Sequence, residues 1–282
     1  MDKRLIINAD DFGLCDGVNR AIVKAHTEGV LTSATIMANM PGAGDAVKMA
    51  KKLANLGIGV HLNLTVGQPI TKDSFVSSLL NGDGEFINSP ARLAILSLIR
   101  PAVRNAIRAE LAAQIQFVID SGLKPTHLDS HKHIHSFPPI FSIVCELAER
   151  FKIPAVRWAF EPKELSRMPW PLPSEGGAKR ARLIRIMAKI NRMQKSSLFK
   201  TQALLGVAHT GKIDTTFFRA VALYNSADIA EVMTHPGYID GLDRHKTRLI
   251  QQRQLELETL CSEKTKQYIK DAGIKLVHYG IL

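Results

Sequence analysis

Short, apolar, strand-like runs alternate with helical stretches along this 282-residue chain, and that alternation restricts the fold more than any other feature. RLIIN (4–8) reads as a first strand, TSATIMAN (32–39) as a second and GIGVHLNLT (57–65) as a third. In the third, Ile58, Val60, Leu62 and Leu64 alternate with Gly59, His61, Asn63 and Thr65, the two-residue period of a strand. THLDS (126–130), PAVRWAF (154–160), EVMTH (231–235) and IKLVHY (274–279) extend the series to seven. Helical patterns fall at about 16–26, 45–53, 91–119, 138–151 and between 245 and 272, and a loop rich in Gly, Asp and Asn covers 66–89. Parallel strands need crossovers of this length, usually helical. The expectation is therefore an α/β chain whose roughly seven parallel strands, covered by helices, make a distorted or incomplete (β/α) barrel. No internal repeat or linker divides it. A single domain over 1–282 is expected, with a proline-rich and then basic helical excursion at about 161–215.

Apolar residues make up 45% of the chain, enough for a sizeable core. No run approaches the roughly 18 apolar residues of a membrane-crossing helix. The first residues, MDKRLIINADDFG, hold too short an apolar run for a secretory signal. Cys15, Cys145 and Cys261 are far apart, which fits reduced thiols and no disulfide framework or zinc–sulfur site. The expected location is cytoplasmic.

In a parallel barrel, functional side chains gather at the C-terminal ends of the strands. The first strand ends in NADDFG, giving Asp10 and Asp11; the third carries His61 and Asn63; the sixth ends at His235. THLDSHKHIH (126–135) holds four of the ten histidines. In it His127, Asp129 and His131 share one strand face, and His133 and His135 follow. A catalytic metal site commonly takes three ligands from His and carboxylates and leaves a position open, which Asp11, His61 and His131 would satisfy. Past the strand's end the two adjacent carboxylates need not point to opposite faces, so one can bind metal while the other takes a proton. Such a donor set suits zinc or iron better than magnesium. Asp129 would orient a ligating histidine, and His133, His135, Asn63 and Arg157 stand as substrate-facing or supporting residues. Taken singly, His61 reads as a satisfied core histidine and the Asp pair as a helix cap. Four strands delivering such groups to one rim argue for a site.

NADDFG, GVHLNLT, THLDSHKHIH followed by FPP, and MTHPGY together resemble the YdjC-like carbohydrate deacetylases, a family that includes chitooligosaccharide deacetylases and a branch associated with hopanoid lipid biosynthesis. The resemblance covers essentially the whole chain and is weakest at 160–215. It implies a distorted barrel similar to that of polysaccharide deacetylases. It also implies one divalent metal ion, Mg2+ or Zn2+, on Asp11, His61 and His131, with Asp10 as base and His235 as acid. The implied substrate is an N-acetylated sugar, as an oligosaccharide or glycolipid, with acetate as product. Cys15 stands where the family has Ser or Thr, which bears on helix capping and not on chemistry.

The net charge of +11 is concentrated: residues 179–200 hold eight basic residues and no acidic one. AKRARLIRIMAKINRMQKSS reads as an amphipathic helix with Arg182, Arg185, Lys189 and Arg192 on one face and Leu183, Ile186, Met187 and Ile190 as an adjacent apolar stripe. It reads either as a helix packed on that stripe or as a membrane-surface helix attracted to anionic headgroups, making a peripheral contact at the inner membrane surface. Nucleic acid is not an expected partner, because no aromatic residues are interleaved and no nucleic-acid motif is present. Two other classes of function stay open: a metal-dependent phosphoesterase or amidohydrolase with a second metal at His133 or His135, and a non-enzymatic basic peripheral membrane-binding protein. Self-association stays open too.

Overall fold

A computed structural model describes residues 3–166, 172–192, 197–224 and 226–282. Among them seven strands form one parallel sheet: β1 (Arg4–Phe12), β2 (Ser33–Ile36), β3 (Gly57–Leu62), β4 (Leu128–Ser130), β5 (Ala203–Leu205), β6 (Ile229–Thr234) and β7 (Lys275–Leu276). Their spatial order is β4-β3-β2-β1-β6-β5, and β7 pairs only with Arg4 and Leu5 of β1. The crossovers carry α1 (Asp16–Thr27), α2 (Ala43–Ala50), α3 (Pro90–Ile99), α4 (Pro101–Asp120), α5 (Pro138–Arg150), α6 (Lys163–Ser166), α7 (Gly177–Asn191), α8 (Thr215–Leu223), α9 (Gln251–Cys261) and α10 (Glu263–Asp271). β1, at the centre of the strand order, is buried along nearly its whole length.

The sheet curls towards closure through an irregular segment. PAVRWAF is not a strand, as its apolar pattern predicts, but makes a single parallel bridge, Val156 to Leu128. Arg157 N–H donates to Leu128 O (2.9 Å) on one side, and Leu204 N–H donates to Phe160 O (2.9 Å) on the other. The segment thus spans the gap between β4 and β5 without a ladder of its own. Pro154 has no N–H to give, and Val156 N–H is drawn to Leu198 O instead. The strand that does form there, β5, was not expected from the sequence. The result is a distorted, incomplete barrel.

Two other expectations change. The helix expected over 91–119 is two helices, because Arg100 is extended (φ −123°, ψ 105°) ahead of Pro101, as a residue before proline prefers. The basic helix forms as α7 but does not pack on its apolar stripe. Gly177, Ala181, Ile184, Arg185, Ala188 and Asn191 are buried, whereas Leu183, Ile186 and Ile190 are 52%, 48% and 50% exposed. Arg185 is therefore no surface cation: its Nε–H donates to Glu161 O at 2.7 Å. Residues 167–171 of the proline-rich excursion and Lys195 of the basic segment lie outside the described residues.

Candidate active site

The site begins with a defect in β1. The β1–β2 register slips between Ala9 and Phe12, and Asp11 has φ 68°, a left-handed conformation that Asp tolerates better than most residues. An extra residue inserted this way is a bulge, which re-aims side chains. Both carboxylates of the Asp pair consequently reach the same buried cluster around His61 although they are adjacent in a strand. Gly13 (φ 100°) completes the turn, where a Cβ would stand 3.1 Å from Met37 O and from Ala43 Cα.

Asp11 Oδ1 lies 3.4 Å from His61 Nε2 and 3.0 Å from His131 Nδ1, and these three residues offer donor atoms all within 4.8 Å of one another. The arrangement fits a divalent metal. His61 Nδ1 faces Asp129 Oδ1 at 2.8 Å, which fixes the tautomer and leaves Nε2 for a ligand, the usual outer support of a ligating histidine. His131 Nε2 is buried without a partner. A second grouping, Asp10, His61 and Asp129, fits less well, because Arg157 already holds both of its carboxylates.

Arg157, fully buried, knits the interior. It donates to both Asp10 oxygens (2.9 and 2.7 Å) and to Glu231 (2.9 and 2.7 Å), and lies 2.8 Å from Asp129 Oδ2. Tyr279 O–H donates to Glu231 in turn. Burial alone would raise the pKa of Asp10, but the Arg157 guanidinium outweighs it and holds the carboxyl far below the usual range. Burial opposes ionisation of Asp11 too, and there Arg253 and His131 prevail. At His61 burial disfavours the charged ring, but the Asp129 and Asp10 carboxylates overcome it and push the pKa up to about 10.

His235, at the end of β6, places Nε2 4.0 Å from Asp10 Oδ2. Its backbone N–H donates to Glu256 Oε2, which also lies 3.8 Å from its Nδ1. Arg253, one turn earlier on α9, donates to Asp11 Oδ2. Arg253 and Glu256 were not picked out in the sequence. Both are buried on a helix whose charged residues follow no apolar period, so nothing local marks which face turns inward. Glu231 could have been found: a charge within an otherwise apolar parallel strand needs a buried partner.

The structure brings Asp10, Asp11, His61, Asp129, His131, Arg157 and His235 together. The short helical turn His131–Ser136 includes two left-handed residues, Lys132 and His133 (both φ 53°), and turns the remaining histidines inward. His133 Nδ1 and His135 Nε2 are buried without partners. Burial holds the His133 ring well below its ordinary pKa and takes His135 down to about 3, so both rings are neutral. His127 stacks on Tyr279 with centroids 4.0 Å apart. Asn63 does not join the cluster, since its carboxamide donates to Asn39 Oδ1 and Val66 O and accepts from Thr65 and Val66 N–H. Among the described residues neither grouping suited to a metal includes His133 or His135, so a second metal there gains no support.

The fold and site define a class: a parallel, incompletely closed barrel with a two-histidine, one-carboxylate centre at the strand ends. Residues 4–271 match the family model described as YdjC-like protein. Among its relatives are a carbohydrate deacetylase of Brevibacillus brevis, 38% identical over 99% of both chains, and one of Geobacillus stearothermophilus, 35% identical over 99% of this chain and 98% of that one. A crystal structure from Enterococcus faecalis V583 superposes with a TM-score of 0.79 at 26% identity, covering 99% of this chain and 98% of that chain. The chain belongs to the YdjC-like family.

Proposed function

We propose that this chain, acting as a single domain, hydrolyses the N-acetyl group of an amino sugar and releases acetate, using one divalent metal on Asp11, His61 and His131. The substrate is an oligosaccharide or a glycolipid. The observation that carries the reading is that Asp10 and His235, a base and an acid 4.0 Å apart, flank that ligand set. Curated relatives named carbohydrate deacetylase over nearly the full length support it.

Asp10, ionised under Arg157, is a weak base, far from the pKa near 7 that proton transfer favours. A divalent metal at this centre, Zn2+ by the preference of imidazole ligands or Mg2+, would lower the pKa of a bound water, to about 7 in the case of Zn2+, and polarise the acetyl carbonyl. That narrows the gap Asp10 must bridge. His235, between Asp10 and Glu256, is placed to give a proton to the departing amine. Arg157 and Asp129 keep Asp10 and His61 in position, and the unpartnered nitrogens of His133 and His135 are free to meet sugar hydroxyls.

The test is acetate release after metal reconstitution, from N-acetylglucosamine, chitobiose and an N-acetylglucosaminyl glycolipid. Release that needs metal and vanishes in Asp11→Ala is the expected result, and Asp10→Asn should lower kcat about 10²–10⁴-fold with metal still bound. No release from any substrate, with one ion bound per chain, would point to a phosphoesterase or another amidohydrolase.

A further inference from the structure

The helix face that sequence periodicity assigns to the core is in solvent. At about 100° per residue, Leu183, Ile186 and Ile190 fall on one narrow stripe of α7, opposite its buried face. Lys179 lies in line with the stripe, and Arg182 and Lys189 flank it on one side. Among the described residues none of these three cations has an acidic partner within ion-pair distance. The helix also borders the active site, because it packs against the turn His131–Ser136. α3 packs against that same turn and repeats the pattern: Ile95, Leu98 and Ile99 are 58%, 62% and 65% exposed, and residues 86–109 contain no acid.

We infer that α7 docks this chain onto an anionic lipid bilayer, with the aliphatic stripe entering the headgroup boundary and the flanking cations meeting lipid phosphates. An apolar stripe edged by Lys and Arg is the interfacial pattern, and the charge is of one sign. A second copy of the chain fits the face poorly. A two-fold contact would set Arg182 and Lys189 against their own copies, with no carboxylate to offset them. Nucleic acid would leave the aliphatic stripe without a use. The docking goes beyond the proposed chemistry and does not depend on it, since the face is defined without reference to any substrate.

The experiment is co-sedimentation of the full chain with phosphatidylcholine–phosphatidylglycerol vesicles and with pure phosphatidylcholine vesicles, at low and at physiological salt. The wild type should bind the anionic vesicles, lose affinity with salt and leave the neutral ones alone. Arg182→Glu with Lys189→Glu should weaken binding by at least roughly 25-fold, since each basic residue at such a surface contributes about fivefold. Leu183→Ser with Ile186→Ser, at half-exposed positions that the core does not use, should weaken it roughly tenfold or more. No binding to anionic vesicles, equal binding to neutral ones, or binding that both double variants leave unchanged would each overturn the inference. So would a dimer seen by light scattering that the Leu183/Ile186 variant dissolves while the wild type ignores vesicles.

Discussion

His61 shows how one side chain can report on an ion. In the metal-free chain burial works against a charged ring, yet Asp129 and Asp10 push its pKa up to about 10 from the ordinary 6.5. A raised folded pKa stabilises the fold fully below about pH 6.5, and that contribution is lost as pH rises through about 10. A metal at Nε2 competes with the same proton. Metal affinity should therefore strengthen with pH, approaching tenfold per unit near neutrality, and calorimetry in two buffers of different ionisation enthalpy near pH 8 should show about one proton released per ion. Equal heats in the two buffers would remove His61 from the ligand set. Arg157 gives a second residue-scale prediction. Arg157→Met leaves Asp10, Asp129 and Glu231 buried without their cation, which should cost about 3–5 kcal/mol in denaturant unfolding. Losing the guanidinium raises the folded pKa of Asp10 and of Glu231, so the deficit should shrink as pH falls and grow as it rises.

At the scale of elements, α9 is the part of the site that the sequence conceals. It supplies Glu256 to His235 and Arg253 to Asp11 from fifteen or more positions beyond the last motif, and it packs on α1. Glu256→Gln should lower kcat roughly 10–100-fold, the usual size of an outer-partner effect, while bound metal per chain, read by elemental analysis, stays the same. A parallel loss of metal would mean that α9 holds the centre together and does not orient His235. The strands that deliver Asp10, Asp11, His61 and Asp129 were legible because each is a short strand-like run that ends in polar residues, and the third alternates as well. β5 was not, since three residues, Ala203–Leu205, are too few for a period and gain strand geometry by pairing with β6. PAVRWAF failed in the opposite sense: its pattern is strand-like, but tertiary partners take its hydrogen bonds one by one. For α7 the periodicity located the helix correctly and chose the wrong face, because close packing went to small residues and to Arg185.

Across the whole molecule the site is assembled from β1, β3, β4, β6 and α9, whose contributing residues run from Asp10 to Glu256. No fragment of the sheet holds it, and the proposed ligands meet only when β1 pairs with β2 and β6, β2 with β3, and β3 with β4. The unfolded chain has no preformed site, so ion binding adds to the free energy of the fold. At a free ion concentration a hundred times Kd the gain is about 2.7 kcal/mol, which for a chain of this size raises the thermal midpoint by roughly 5 °C or more. Asp11→Ala should abolish that shift and also lower the midpoint of the metal-free protein. The mutation leaves the buried Arg253 without its partner, the costly case of a half-removed buried pair. Should zinc or magnesium raise the midpoint of Asp11→Ala as much as that of the wild type, the ion sits elsewhere, and the centre at the end of β1 loses its role.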